Sequence, residues 1–437
     1  MKTSQVKKVS LAALVAAFAF ASALPAWGQG FQVGSATNVT VSGLLAVGLK
    51  SSEVINTNRP GMSSELRLDD NTSRVIISST SKFAEGWNVI FRVESRFQAD
   101  VRPIDPAIPG TTIYSGNITG WADGDTYGGI SSPYGALTFG KSSVWYGDTL
   151  DMSYLGLPAG TGEGYRIWDD NGLSLFNMLN QVTPLSKTGV GAGSSFTMGN
   201  TRSRNVVRFN SIKFSGLDFS VAWSPNPDGD ELKYVAPAAD GTTPGYARSY
   251  TSGGMFYGGV KYNNGPLAAS FSYLNKRIQG GTYNPAVAAG PADVHALRLG
   301  AAYTLPFKVK VGVVYDHTEI DNAAYSSSTS TVATEAAKRD VVVVPVSYSY
   351  KDHAFYVTYS WAGNTSSHAD TGSTQLNIGY DYALTKRAFV GLYYTLLKND
   401  KNGHYTPFLA GYSLGGTVNS VAGENWRQIG VNLNYWF

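Results

Sequence analysis

The sequence predicts an all-β chain, a sixteen-stranded antiparallel transmembrane β-barrel. Three observations predict it. Segments of alternating polarity recur along the whole chain. Short turns and long polar links join them in regular alternation. Hydrophobic residues make up 43% of the chain, yet no stretch of about 20 apolar residues follows the first few dozen positions, so no helix is long and apolar enough to span. In a bilayer every backbone N–H and C=O needs a partner, and a closed barrel is the alternative to helices. The abundance of Tyr (27) and Gly (49) fits interfacial girdles and closely packed walls.

The first element is an export signal over residues 1–28. Lys2, Lys7 and Lys8 form a basic start, Val9 to Leu24 an uncharged apolar core, and Ala26 and Gly28 the small residues of a cleavage site. The mature chain would begin at residue 29. Losing three lysines leaves 31 of the 34 basic residues against 31 acidic ones. That balance excludes a nucleic-acid binder, which needs a basic excess. Cys is absent, so neither disulfides nor thiolate metal sites hold the protein.

The predicted strands are 39–50, 72–83, 87–98, 123–131, 136–141, 203–214, 217–224 and 254–263, then 267–277, 294–305, 307–318, 339–350, 353–362, 373–383, 387–398 and 425–437. Most approach the ~9–11 residues of a tilted spanning strand. Tight turns follow every second strand: Ala84-Glu85-Gly86, Ser132-Pro133-Tyr134-Gly135, Ser215-Gly216, Asn264-Gly265, Pro306, Lys351-Asp352 and Thr385-Lys386. Long links at 51–71, 99–122, 225–253, 278–293, 319–338 and 399–424 occupy the other rim. This is the asymmetry of periplasmic turns and extracellular loops.

Within strands the faces separate. Phe355, Val357, Tyr359 and Trp361 oppose Tyr356, Thr358 and Ser360, and Val309, Val311, Val313 and Tyr315 oppose Lys308, Lys310, Gly312 and Asp316. On the last segment Ile429, Val431, Leu433, Tyr435 and Phe437 alternate with Gly430, Asn432, Asn434 and Trp436. A final amphipathic strand ending on Phe437, with Tyr435 on the same face, resembles the signal by which outer-membrane barrels are recognised for assembly. Alternation also turns Arg74 inward with Ile76 and Ser78, sets Arg92, Glu94 and Arg96 on one face, and places Arg204 with Arg208 opposite Val207 and Phe209.

These residues together resemble the general, non-specific porins of Gram-negative bacteria, of the betaproteobacterial type. The likeness runs through Val39-Thr-Val-Ser-Gly43, Ser73-Arg74, Phe91-Arg92-Val93-Glu94, Tyr127-Gly-Gly-Ile130, Gly135-Ala-Leu-Thr-Phe-Gly-Lys141, Arg204-Asn-Val-Val-Arg-Phe209 and Phe437. The resemblance implies an outer-membrane homotrimer for passive diffusion of small hydrophilic solutes and ions, assembled by the barrel-assembly machinery among outer-membrane lipid. It implies a third loop, about 142–202, folded inward as a constriction. It implies a basic constriction wall of Arg74 and Arg204, joined by Arg92, Arg96 and Arg208, facing loop acids among which Asp148 and Asp151 lead. The Pro-Glu-Phe-Gly loop tip of enterobacterial porins is missing; Gly156-Leu-Pro-Ala-Gly-Thr-Gly-Glu-Gly164 stands in that region.

The alternative is a substrate-selective porin for anions, organic acids or sugars, suggested by Lys261, Arg298, Lys308 and Lys310 on inward parities. An enzyme is not expected: the five histidines are scattered, and neither G-x-S-x-G nor H-E-x-x-H occurs. Asp316-His317 reads as rim charge. Asp69-Asp70-Asn71 lacks a spaced ligand set, so neither metal nor cofactor is expected.

Overall fold

The computed structural model describes residues 30–33, 37–56, 64–70, 73–97, 121–122, 124–144, 203–225, 227, 254–278, 292–326, 332–366, 369–403, 405 and 422–437. In chain order the strands are β1 (Gly30–Val33), β2 (Thr37–Val54), β3 (Ser64–Asp70), β4 (Arg74–Ala84), β5 (Trp87–Arg96), β6 (Thr126–Ser132), β7 (Gly135–Ser142), β8 (Ser203–Ser211) and β9 (Leu217–Ser224). They continue as β10 (Met255–Asn264), β11 (Leu267–Ile278), β12 (Ala292–Thr304), β13 (Val309–Ser326), β14 (Val332–Tyr350), β15 (His353–Ala362), β16 (Ser373–Ala383), β17 (Ala388–Asn399) and β18 (Trp426–Trp436).

Each strand pairs antiparallel with its successor from β4 to β18, and β18 returns to β2, which pairs β4. The ring is closed. β3 pairs the far half of β2 and β4 its near half, so the two count as one stave. β1 is a short hairpin arm on the start of β2. Sixteen staves therefore form the barrel among the described residues, and closure leaves no open edge to meet lipid.

The turns fall where the sequence puts them. Two residues, Glu85-Gly86, link β4 to β5, and Ser215-Gly216 carry positive φ (50° and 89°), the twist-matching geometry of tight hairpins. One expectation is corrected here: Lys308 is not the second residue of a strand but sits in the turn at φ 65°, its N–H donating to the Leu305 carbonyl, and β13 begins at Val309. Two long links are also shorter than expected. β2 reaches Val54 and β3 starts at Ser64, and β13 and β14 pair out to Ser326↔Val332 past an irregularity between Ile320 and Ala323. Polar hairpins continue beyond the apolar band there, because ladder pairing does not need an apolar face.

The barrel is inside-out relative to a soluble protein. Exposed large apolar residues form its outer face, among them Phe91, Phe139, Trp223, Phe271, Val313, Val357, Trp361 and Ile429. Buried polar residues fill the inner one, among them Lys50, Glu94, Arg298, Asp316, Gln375, Asn377, Gln428 and Asn432. Outer aromatic pairs at the turn-side rim, Tyr348–Phe355 with centroids at 6.4 Å and Phe355–Tyr380 at 5.0 Å, each add ~0.2–1 kcal/mol to strand pairing. On β18, Ile429 is exposed outside while Gln428 and Asn432 are buried inside. The last residue also joins the ladder: Phe437 exchanges both backbone bonds with Gly43, at 2.9 and 3.0 Å.

Candidate functional site: a charged inner wall

The inner surface of β4, β5, β6 and β8 carries a continuous row of charge. Arg74 lies opposite Arg96, Ile76 opposite Glu94 and Ser78 opposite Arg92, so the pleat delivers the expected common face. Arg74 Nη1 donates to Glu94 Oε1 at 3.0 Å, and Arg92 Nη2 donates to Glu94 Oε2 at 3.0 Å. One carboxylate thus bridges two guanidiniums. Arg74 and Glu94 are sealed from solvent, whereas the Arg92 side chain stays 31% exposed. Gly124 packs so closely on Glu94 that a Cβ would lie 2.6 Å from its carboxylate.

The row continues across the next strands. Arg92 faces Tyr127. Asp125, just before β6, accepts the backbone N–H and the hydroxyl of Ser143, both at 2.8 Å. Arg208 donates to the Ser143 carbonyl at 2.6 Å and, through Nε, to Asn210 Oδ1 at 2.8 Å. Asp125, Tyr127 and Ser143 were not assigned to the wall by sequence reasoning. Their membership depends on which residue lies opposite which, and a single strand's alternation carries no such information.

The backbone around Arg204 is not a regular strand. The β7–β8 register shifts between Gly140 and Ser142, and Asn205 takes φ 54° to absorb an extra residue. Ser203 and Val206 are both buried while Arg204 and Asn205 between them are exposed. A bulge breaks period-two alternation, so the parity linking Arg204 to Arg208 does not hold. Asp148, Asp151 and all but the first three residues of 142–202 lie outside the described residues, as does the export signal.

A second charged patch occupies the other side of the inner wall. Arg298 Nε donates to Asp316 Oδ2 at 2.9 Å directly across β12 and β13, and Thr318 Oγ1 donates to Asp316 Oδ1 at 2.9 Å. Asp316 is wholly buried on the inner face, which corrects the expectation of rim charge for it. His317 points outward, where its Nδ1 and the Tyr315 hydroxyl both meet Asp340 Oδ1, at 2.8 and 2.6 Å. Alternation splits these adjacent residues between two faces, and it places Asp316 on the inner one. Between the patches run neutral amides and hydroxyls: Gln375 and Thr395 donate to Asn377 Oδ1 at 3.1 and 2.9 Å, and Gln428 donates to Ser52 at 2.9 Å. A ring of donors and acceptors inside an apolar shell can hold water and pass polar solutes.

Comparison with known proteins agrees with this geometry. The family model described as Gram-negative porin matches residues 9–402. Among solved structures, the anion-selective porin from Comamonas acidovorans superposes with a TM-score of 0.61 at 17% identity, over 92% of this chain and 100% of that one. The outer-membrane OmpT of Vibrio cholerae gives 0.57 at 13% identity over 94% and 100%. OmpF of Salmonella typhi, solved with daunomycin, gives 0.55 at 13% identity over 94% and 100%. At these identities the likeness is one of fold. No curated protein matches the sequence.

Proposed function

Since the chain belongs to the family of Gram-negative porins and is an outer-membrane channel for passive diffusion of small hydrophilic solutes and ions, we propose that its permeation path is governed by the inner wall of β4, β5 and β8. Arg74, Arg92, Arg96 and Arg208 supply the basic side, and Asp148 and Asp151 of the third loop the opposing acids. The observation that carries this is Glu94 held between Arg74 and Arg92. It neutralises one of them and leaves the half-exposed Arg92, with Arg208 beyond it, to face the passage. Fields from such rings set ion preference at short range.

The likeness to an anion-selective porin is one of fold and does not favour a selective pore over general diffusion. The homotrimer is part of the same reading, supported by the trimer form of the Vibrio cholerae OmpT, which superposes at a TM-score of 0.55. So are the export signal over 1–28, the inward third loop, recognition of Phe437 and Tyr435 during assembly, and the absence of enzymatic activity.

Planar-bilayer recording tests it. A trimer gives conductance steps in groups of three, and Arg92→Glu with Arg208→Glu moves the reversal potential in a KCl gradient toward cations. No movement in a folded double variant would put the selective wall elsewhere.

A further inference from the structure

The turn-side rim repeats one arrangement, a lysine next to a large exposed apolar side chain. Lys213 precedes Phe214, Lys308 follows Phe307, Lys351 follows Tyr350, and Lys386 stands two residues after Leu384. These four apolar residues are 75%, 64%, 47% and 50% exposed. They carry the lipid-facing surface into the turns. Phe214 bridges to Leu217, which starts the outward row of Phe219, Val221 and Trp223, and Tyr350 ends the outward row of Val344 and Tyr348.

The charge on this rim is one-sided. Together the short turns hold Lys213, Lys308, Lys351, Lys386 and Arg387 against only Glu85 and Asp352, in a chain with 34 basic and 31 acidic residues. On the opposite rim the outward cations are matched across strands: Lys338 with Glu319 at 2.6 Å, Arg277 with Asp293 at 3.4 Å, and Arg427 with Glu53. Among the described residues the four turn lysines have no such acid. Lys351 Nζ lies instead 5.3 Å from the centroid of the Tyr350 ring. Lys308 and Lys351 also take positive φ, 65° and 50°, a region that Gly or Asn enters at less cost. Strain kept at both positions points to work done by the side chain.

We propose that the turn-side rim is an anchor for anionic phospholipid, the lysines on headgroup phosphates and the neighbouring apolar side chains in the acyl boundary. A soluble acidic partner would use the amines but leave Phe214 and Phe307 bare, whereas a bilayer takes both parts of each pair. The excess of positive charge favours an anionic headgroup over a zwitterionic one. This anchor rests on the barrel's place in the membrane and not on the charged inner wall.

Electron paramagnetic resonance of spin-labelled lipid tests it. The folded protein is placed in phosphatidylcholine vesicles with a trace of labelled phosphatidylglycerol or labelled phosphatidylcholine. The immobilised lipid favours phosphatidylglycerol by about threefold at low salt, and molar NaCl removes the preference. A variant with Lys213→Gln, Lys308→Asn, Lys351→Asn and Lys386→Gln loses it; Asn suits the two positive-φ positions, so the turns keep their shape. Lys338→Gln, on the opposite rim, keeps it. No preference in the wild type, an equal one in the folded fourfold variant, or its loss in Lys338→Gln overturns the anchor. Polyglutamate binding to the detergent-solubilised protein without any lipid preference would assign the rim to an acidic polypeptide and overturn it too. Should the fourfold variant fail to fold, the wild type decides: a preference that molar NaCl leaves unchanged overturns the anchor.

Discussion

Arg74 and Glu94 form a buried ion pair at 3.0 Å across β4 and β5, and the second oxygen of the same carboxylate holds Arg92. Removing that carboxylate takes the counter-charge from two guanidiniums at once, and the Arg74 one is buried. Breaking a buried pair by deleting one partner costs roughly 3–5 kcal/mol. Glu94→Gln is therefore expected to lower barrel stability by about that amount, read from denaturant unfolding in detergent, and to move the reversal potential toward anions. A stability equal to the wild type would mean that water replaces the carboxylate without penalty.

Arg204 and Arg208 separate under charge reversal. Arg208 is tied to the Ser143 carbonyl and, through Ser143, to Asp125, whereas Arg204 is exposed beside the Asn205 bulge. Arg208→Glu should shift the reversal potential severalfold more than Arg204→Glu, measured in the same KCl gradient. Equal shifts would return Arg204 to the wall.

Much of this was legible in the sequence because the pleat is a backbone rule. The common face of Arg92, Glu94 and Arg96, the tight turns at Glu85-Gly86 and Ser215-Gly216, and the alternation from Ile429 to Trp436 need nothing beyond a period of two. Relations between strands were not legible. That Arg74 takes Glu94 depends on register, and register is set by pairings elsewhere in the ring. The bulge at Asn205 beside Arg204 leaves no mark in polarity, whereas the inward face of Asp316 did follow from alternation along its strand. The ends of β13 and β14 were missed for another reason: beyond the apolar band a strand loses the alternation that betrays it.

The outer face makes a prediction of its own. Val357 is exposed in the middle of an outward row, Phe355-Val357-Tyr359-Trp361, while its neighbour Thr358 is buried inside. A basic residue at mid-membrane on the lipid face of a barrel costs ~2–4 kcal/mol, falling to ~0–1 near the interface. Val357→Arg is expected to destabilise the barrel by that larger amount in lipid vesicles, and Phe355→Arg, nearer the Lys351-Asp352 turn, by less. The reverse order would mean that the band is centred closer to the turns.

The seam where the ring closes depends on a missing side chain. Phe437 and Gly43 exchange backbone bonds at 2.9 and 3.0 Å, and the Phe437 ring lies over the glycine. A Cβ at Gly43 would overlap both that ring and the Arg74 carbonyl oxygen. The ring can swing away; the carbonyl belongs to the β2–β4 ladder and cannot move without opening it. Gly43→Val should therefore weaken closure on both sides of β2, lowering the temperature at which the folded barrel loses its compact electrophoretic mobility in SDS. Phe437→Ala combined with Gly43→Ala separates the two contacts. Relief of the ring clash alone is expected to recover less than half of the lost stability, because the backbone contact with Arg74 remains; full recovery would assign the whole effect to the ring.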